Sequence, residues 1–150
     1  MKNIRPRLIR LFKEGYCTPQ IAKIAKTIDE PSATLHYNIK KLENDGAIKT
    51  YKAVFDYAKI DEGFCAFLLL AFSPDEYGTP ERIARELARH KEVESVDLIT
   101  GEWELIVKVR TKDQDDYYKF LTNVISRQKG FQKTKSMVSL KQFKTEFVIM

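Results

Sequence analysis

Residues 21–48 read IAKIAKTIDEPSATLHYNIKKLENDGAI, and their spacing decides the first third of the fold. Ile21, Ile24, Ala25 and Ile28 fall along one helical face. That face breaks at Asp29-Glu30-Pro31. A second stripe follows in Leu35, Ile39 and Leu42, spaced i, i+4, i+7, and Gly46 supplies a left-handed stop behind Asn44-Asp45. Thr18 offers an N-cap oxygen to the first of these helices, with Pro19 at its first position. Two short helices joined by a tight turn describe a helix-turn-helix.

Toward the N-terminus, Ile4, Leu8, Leu11 and Phe12 give a preceding helix that Gly15 ends. Toward the C-terminus, residues 47–55 (AIKTYKAVF) predict a strand or short hairpin, the wing of a winged helix. The helix after the turn leaves Ser32, Ala33, His36, Tyr37 and Lys40 on the face away from Leu35 and Ile39. That face is polar and carries no acid, as docking against phosphate requires. The first turn of such a helix points at base edges while nearby basic residues hold the backbone. Lys49 and Lys52 of the wing are placed to touch phosphate. A plain three-helix packing unit with a solvated basic face is the alternative on these residues.

From Gly63 the period changes. Phe64–Phe72 (FCAFLLLAF) reads as a buried strand, followed by a Ser-Pro-Asp-Glu-Tyr-Gly loop. Thr79 and Pro80 start a helix with Ile83, Ala84, Leu87 and Ala88 on one face. Val93, Val96, Leu98 and Ile99 predict a strand, and Thr100-Gly101-Glu102 turns into another over 103–109, where Trp103, Leu105, Val107 and Val109 alternate with Glu104, Ile106 and Lys108. Residues 113–128 predict a helix burying Tyr117, Phe120, Leu121, Val124 and Ile125, ended by Gly130, and 134–143 predict a final strand. The order βαββαβ is that of a ferredoxin-like domain with two helices on one face of an antiparallel sheet. The fold class is therefore α+β: an N-terminal winged helix-turn-helix over 1–50, a linker strand or hinge over 51–62, and a ferredoxin-like domain over 63–150. Phe and Leu supply both faces of Phe64–Phe72, so something must cover the face without helices. A second copy of the sheet is the natural cover, and a contact within the chain the other.

Charge follows the same division. Residues 1–50 hold ten Lys/Arg against five Asp/Glu, whereas 51–150 hold sixteen of each, so the net charge of +5 sits in the first third and points to an anionic partner for that part alone. The nine-residue apolar run is far below the roughly 20 residues of a membrane span, and Arg7, Arg10 and Lys13 interrupt any signal-peptide core. The chain reads as cytoplasmic, with no membrane partner. Cys17 and Cys65 stand 48 residues apart without a Cys-x-x-Cys spacing and read as reduced thiols rather than a disulfide. With only His36 and His90 besides, a zinc site would need carboxylates, so neither a metal nor another cofactor is expected. No Ser-His-Asp or Cys-His arrangement is readable from spacing.

Ile24-Ala25-Lys26, then residues 32–48 (SATLHYNIKKLENDGAI), resemble the helix-turn-helix of the Lrp/AsnC family of feast/famine transcription regulators and its R-I-x-x-L-E-x-x-G-x-I run. Val93-Glu94-Ser95-Val96, Thr100-Gly101-Glu102-Trp103-Glu104-Leu105 and Phe120-Leu121 resemble the V-x-x-V, T-G-x-[YW]-D and F-L pieces of the same family's effector domain. The resemblance spans nearly the whole chain. It departs from the pattern at Asn38, where the family has arginine, at Asp29 for the turn glycine, at Pro31 for the capping serine (leaving Ser32 to cap), and at Glu104 for aspartate. The family's acidic opening motif is absent.

The resemblance implies a non-enzymatic, sequence-specific regulator of double-stranded DNA, with Ser32, Ala33, Thr34, His36, Tyr37, Asn38, Lys40, Lys41, Lys49 and Lys52 at the DNA. It implies a homodimer through paired sheets that assembles further into tetramers or octamers, and a small amino-acid effector between subunits. Thr100, Gly101, Glu102, Trp103 and Glu104 are the candidate effector turn. Its glycine lets backbone N–H groups approach a carboxylate and its glutamates can meet an ammonium, with hydroxyls added by Thr134 and Ser136. An ordinary β-turn with solvated glutamates is the alternative reading of that turn. Two further functional readings stand beside the regulator: an AsnC-like decarboxylase of haem biosynthesis, and an oligomerisation module without DNA binding.

Overall fold

The structure is a computed structural model that describes residues 3–73, 80–146 and 148–150. The chain divides into two compact units, Met1–Val54 and Phe55–Met150.

In the N-terminal unit, α1 (Arg5–Lys13), α2 (Ile21–Ile28) and α3 (Ser32–Asn44) form the expected three helices. Gly15 follows α1 at φ +97°, and a side chain there would run into the Thr50 hydroxyl. The start of α2 is later than the sequence predicts. Gln20 holds the cap position without a side-chain hydrogen bond, and Thr18 and Pro19 lie before the helix. Proline disfavours helical backbone in the residue before it, so Thr18-Pro19 shapes the approach to α2 rather than its first turn. Asp29 takes the left-handed conformation (φ 54°, ψ 46°) that the turn between α2 and α3 requires. Its N–H and that of Glu30 both donate to the Ala25 carbonyl. Pro31 occupies the cap position of α3 in extended backbone, so Ser32 is the first helical residue and does not cap. Gly46 (φ +71°) stops α3 as expected, with its N–H donating to Glu43 O at 3.0 Å. The predicted wing does not form: residues 47–56 contain no strand. The stretch has no second strand to pair with, and within it Ala53 N–H reaches the Phe12 carbonyl at 3.4 Å instead.

In the C-terminal unit a 3₁₀ turn, Tyr57–Ile60, falls inside the predicted linker. Then come β1 (Phe64–Phe72), α4 (Pro80–Leu87), β2 (Val93–Leu98), β3 (Leu105–Thr111), α5 (Gln114–Phe120) and β4 (Phe131–Val138). The sheet order β2-β3-β1-β4, antiparallel throughout, is the ferredoxin-like topology. Ala66, Leu68, Leu70 and Phe72 of β1, with Leu105, Val107 and Val109 of β3, face Ile83 and Leu87 of α4 and Tyr117, Phe120 and Ile125 around α5.

Three local expectations need correcting, and a fourth is not reached. The loop at 74–78 and the Thr79 cap lie outside the described residues. Strand β3 starts at Leu105 rather than Trp103, because the turn after β2 is wider than a two-residue hairpin. The helix at 113–128 is α-helical only to Phe120 and then widens into a π turn, Leu121–Ile125, closed by Ser126 N–H donating to Leu121 O at 2.8 Å. Ile125, at the end of this turn, lies in the core as its spacing predicts. Finally, β4 runs from Phe131 to Val138 rather than over 134–143. Phe143 is exposed, and an unforeseen short hairpin follows in β5 (Lys144–Thr145) and β6 (Val148–Ile149).

Candidate functional site

The first candidate surface is α3. Leu35 is buried and Ile39 half-buried, which fixes the rotation of the helix. Ser32, Ala33, His36, Tyr37 and Lys40 then point to solvent as the spacing predicts, with Tyr37 70% exposed. Thr34, Asn38 and Lys41 are exposed beside them. Two of these side chains are engaged within the unit. Asn38 Nδ2 donates to the Thr34 carbonyl at 2.8 Å, so the amide replacing the family's arginine is folded back on its own helix. Lys40 Nζ donates to Glu43 Oε2 at 2.7 Å, and Tyr51 Oη donates to Glu43 Oε1 at 3.1 Å. The hydrogen bond from Lys40 holds the Glu43 carboxyl below its ordinary range, and the same bond raises the Lys40 ammonium. The acid-free face of the first turns thus gains an acid at its C-terminal end, which sequence reasoning overlooked although Lys40 and Glu43 are one turn apart. Lys49 and Lys52 are exposed on irregular backbone rather than on a wing strand.

The second candidate is the turn between β2 and β3. Gly101 has φ +116° with open space around it, and Thr100 and Glu102 are exposed, while Trp103 and Glu104 are half-buried. Glu104 is tied to the sheet on three sides. Its N–H donates to Leu70 O at 3.0 Å, its carbonyl accepts from Ile99 N–H at 2.9 Å, and its Oε2 accepts from Phe72 N–H at 3.0 Å. The β1–β4 register shifts at Ala71/Phe72, and the carboxylate takes the N–H at that irregularity. On the other side of β1, Thr134 pairs with Leu70 and Ser136 with Leu68. Glu104 and Thr134 are therefore brought to opposite flanks of the same end of β1. Ser136 lies one pleat further along, and its hydroxyl is 2.6 Å from Tyr117 Oη. Burial pushes the Tyr117 phenol above its ordinary range, with the Ser136 hydrogen bond opposing.

A third cluster was not foreseen. Glu94 accepts from Lys108 Nζ at 2.7 Å and from Arg110 Nε at 2.6 Å, and the Arg110 guanidinium lies 3.6 Å from the centre of the Tyr57 ring. Arg110 and Glu94 side chains are 7% and 14% exposed. Burial works against the charged Glu94, yet the hydrogen bonds from Lys108 and Arg110 outweigh it and leave the carboxyl below its ordinary range. Alternation put Lys108 on the outward face of β3, but nothing in the spacing named its partner. The histidines stay apart: His36 is on α3, and His90 packs edge-on against Phe120, with ring centroids 6.1 Å apart.

Comparison with known proteins places both halves. The family profile described as the Lrp/AsnC ligand binding domain matches residues 65–149. An uncharacterized HTH-type transcriptional regulator of Pyrococcus horikoshii is 32% identical over 140 residues, covering 93% of each chain. Among solved structures, an AsnC family transcriptional regulator from Agrobacterium tumefaciens shares the fold with a TM-score of 0.75 at 20% identity, covering 97% of this chain and 94% of that one. A transcriptional regulator from Neisseria meningitidis, solved in complex with L-Met, aligns with a TM-score of 0.72 at 19% identity over 97% and 93%.

Proposed function

The chain belongs to the Lrp/AsnC family of transcription regulators, and from that premise we propose that its α3 reads duplex DNA while its C-terminal unit assembles the regulator and senses an amino acid. The observation that carries the DNA half is the face of α3. Its first turns are polar, exposed and free of acid, and Leu35 holds them turned away from the core. Ser32, Ala33, His36 and Tyr37 are the residues for base edges, and Thr34, Asn38, Lys40, Lys41, Lys49 and Lys52 the residues for backbone. Phosphate then competes with Glu43 for Lys40, so docking exchanges an internal ion pair for one with DNA. Two such helices on a dimer enter successive major grooves about 34–36 Å apart.

The dimer would form through the sheet face opposite α4 and α5, where Phe67, Leu69 and Ile106 are half-buried and Met137 is 39% exposed. The effector reading rests on the Thr100–Trp103 turn with its open glycine, on Glu104 and Thr134 flanking the end of β1, and on the L-Met bound by the similar Neisseria meningitidis regulator. An amino acid there presents its carboxylate to the turn's N–H groups and its ammonium to Glu102 or to the second oxygen of Glu104.

Titration of duplex DNA at several salt concentrations tests the DNA half. Affinity is expected to fall by about 0.9 log units per log salt for each phosphate neutralised. Tyr37→Ala, at a position whose ring packs against little of its own unit, is expected to weaken specific binding about tenfold or more while leaving the helical circular dichroism unchanged. Salt-insensitive binding, or an unchanged Tyr37→Ala, would overturn this half.

A further inference from the structure

One carboxylate of the N-terminal unit is shared between the DNA-facing helix and the stretch that leads out of the unit. Glu43 is the only acid in the sequence of α3, and it follows His36 and Lys40 by seven and three residues. At about 100° per residue, the three side chains leave the helix within about 60° of one another. Lys40 Nζ donates to Glu43 Oε2 at 2.7 Å and Tyr51 Oη donates to Glu43 Oε1 at 3.1 Å, so each oxygen serves a different element. The Lys40 bond lowers the Glu43 carboxyl most, and the Tyr51 bond lowers it further against the opposing effect of burial. Lys40 keeps 56% of its side chain exposed, so its ammonium is open to phosphate. Tyr51 belongs to the irregular stretch after α3. That stretch is held on its own unit by Ile48 N–H on the Leu42 carbonyl, by Thr50 against Gly15 and by Ala53 N–H on the Phe12 carbonyl. The unit ends at Val54, three residues beyond Tyr51.

We propose that Glu43 is a positioning residue for DNA binding, a relay through which Tyr51 sets how firmly Lys40 is withheld from phosphate. The inference rests on the α3 reading above and adds a control on it from outside the DNA-facing residues. The carboxylate has one negative charge, which its two donors share. While Lys40 holds it, that charge is largely neutralised. When phosphate takes Lys40, the whole charge is left to Tyr51, and a hydrogen bond to an ionised acceptor is the stronger kind. Docking therefore tightens the Tyr51 contact. Coupling between two binding events is reciprocal, so the Tyr51 contact must in turn favour docking. It does so by drawing on the carboxylate's charge and loosening the grip on Lys40. A movement of the linker that takes Tyr51 off Glu43 then returns Lys40 to a carboxylate with no competing donor, and DNA affinity falls. Phosphate contacts carry no sequence information, so the relay acts on affinity for every duplex rather than on the choice among sequences. An exposed ion pair is weak, which suits a contact broken at each binding event.

Anisotropy titrations of the full-length chain against a labelled duplex of mixed sequence test the relay, with circular dichroism as the check on fold. Glu43→Gln keeps the shape and an acceptor for Tyr51 but removes the charge, and is expected to bind about twofold to fivefold more tightly at low salt. That gain should shrink as salt rises, since screening already weakens the pair in the wild type. A merely structural Glu43 would give the opposite sign, with weaker binding and a reduced helical signal. Lys40→Ala is expected to cost more affinity in the Glu43→Gln chain than in the wild type, because no internal pair is given up there on docking. Tyr51→Phe is expected to weaken binding about twofold in the wild type and to have no effect in the Glu43→Gln chain. The relay is overturned, and the α3 reading stands, if the wild type binds duplex but Glu43→Gln binds no more tightly, if Lys40→Ala costs the same in both backgrounds, or if Tyr51→Phe binds like the wild type. A wild type that binds no duplex at low salt overturns the α3 reading and this inference with it.

Discussion

The two units cover their apolar residues to very different degrees. Among the described residues of the C-terminal unit, twelve buried ones pack into one cluster, and seven large side chains of the sheet and α4 have essentially no exposed surface. Among the described residues of the N-terminal unit only Ala25 and Leu35 are buried, while the helical stripes that define its fold remain partly open: Phe12 is 38% exposed, Leu42 46% and Ile28 52%. Hydrophobic stabilisation scales with the apolar area removed from water, and a unit of this size buries a smaller share of its surface than a larger one. The same family architecture therefore joins a densely packed platform to a thinly packed reader. The reader depends more on its turns, and the platform on its core.

Truncation in each core is the most severe test of that contrast. Leu68→Ala removes a fully buried side chain from the middle of β1 and is expected to cost about 3–4 kcal/mol. Leu35→Ala, at the best-buried large side chain of the N-terminal unit, is expected to cost about 2 kcal/mol. Trp103 is the one tryptophan of the chain, so its fluorescence in denaturant follows the C-terminal unit, while far-ultraviolet circular dichroism also registers α1–α3. Equal costs would break the comparison.

The platform's stability also has an electrostatic part. Glu94→Gln leaves Lys108 and Arg110 buried without their anion and is expected to cost about 3 kcal/mol, as removal of one partner of a buried ion pair does. The pH dependence has a definite sign. Glu94 is held below the ordinary carboxyl range in the folded state, so its contribution is complete above that range. It is lost as pH falls through the lowered folded value. A wild-type minus Glu94→Gln difference in stability that does not shrink on acidification below pH 4.5 would show that the carboxylate is not held by its two cations.

Legibility in the sequence follows the same divide. The sheet was readable because period-2 alternation in β1 and β3 is regular and the turns between elements carry glycine, and because Ile83, Leu87, Tyr117 and Phe120 keep helical spacing beneath it. What failed was local and depended on partners. Residues 47–55 have strand-like composition, but composition supplies no second strand, and the wing did not form. Thr18 and Ser32 are good capping residues by type, yet a neighbouring proline fixed the backbone against each. The π turn after Phe120 adds one residue that no periodicity announces. Of the candidate sites, the exposure of α3 was legible from its stripe. The engagement of Lys40 by Glu43, of Glu104 by the Phe72 N–H and of Ser136 by Tyr117 was not, because each depends on three-dimensional proximity rather than residue type.

The smallest expected effect bears on the reader's dependence on its turns. Asp29 sits at φ 54° and ψ 46°, where an L residue costs about 1–2 kcal/mol and glycine costs little. Aspartate tolerates this region better than most residues. Asp29→Gly is therefore expected to leave the N-terminal unit equally stable or more stable by up to about 1 kcal/mol, whereas Asp29→Ala is expected to destabilise it by about 1 kcal/mol. Neither substitution alters the exposed face of α3, so specific DNA affinity should change only as far as the helix population does. Thermal melts followed at the helical band separate the two variants. If Asp29→Ala melts with the wild type, the turn is not under left-handed constraint and the reader draws its stability from elsewhere. If Asp29→Gly raises the melting temperature of the helices without moving the Trp103 signal, the constraint belongs to the N-terminal unit alone, and one residue in the turn offsets part of what its thin core lacks.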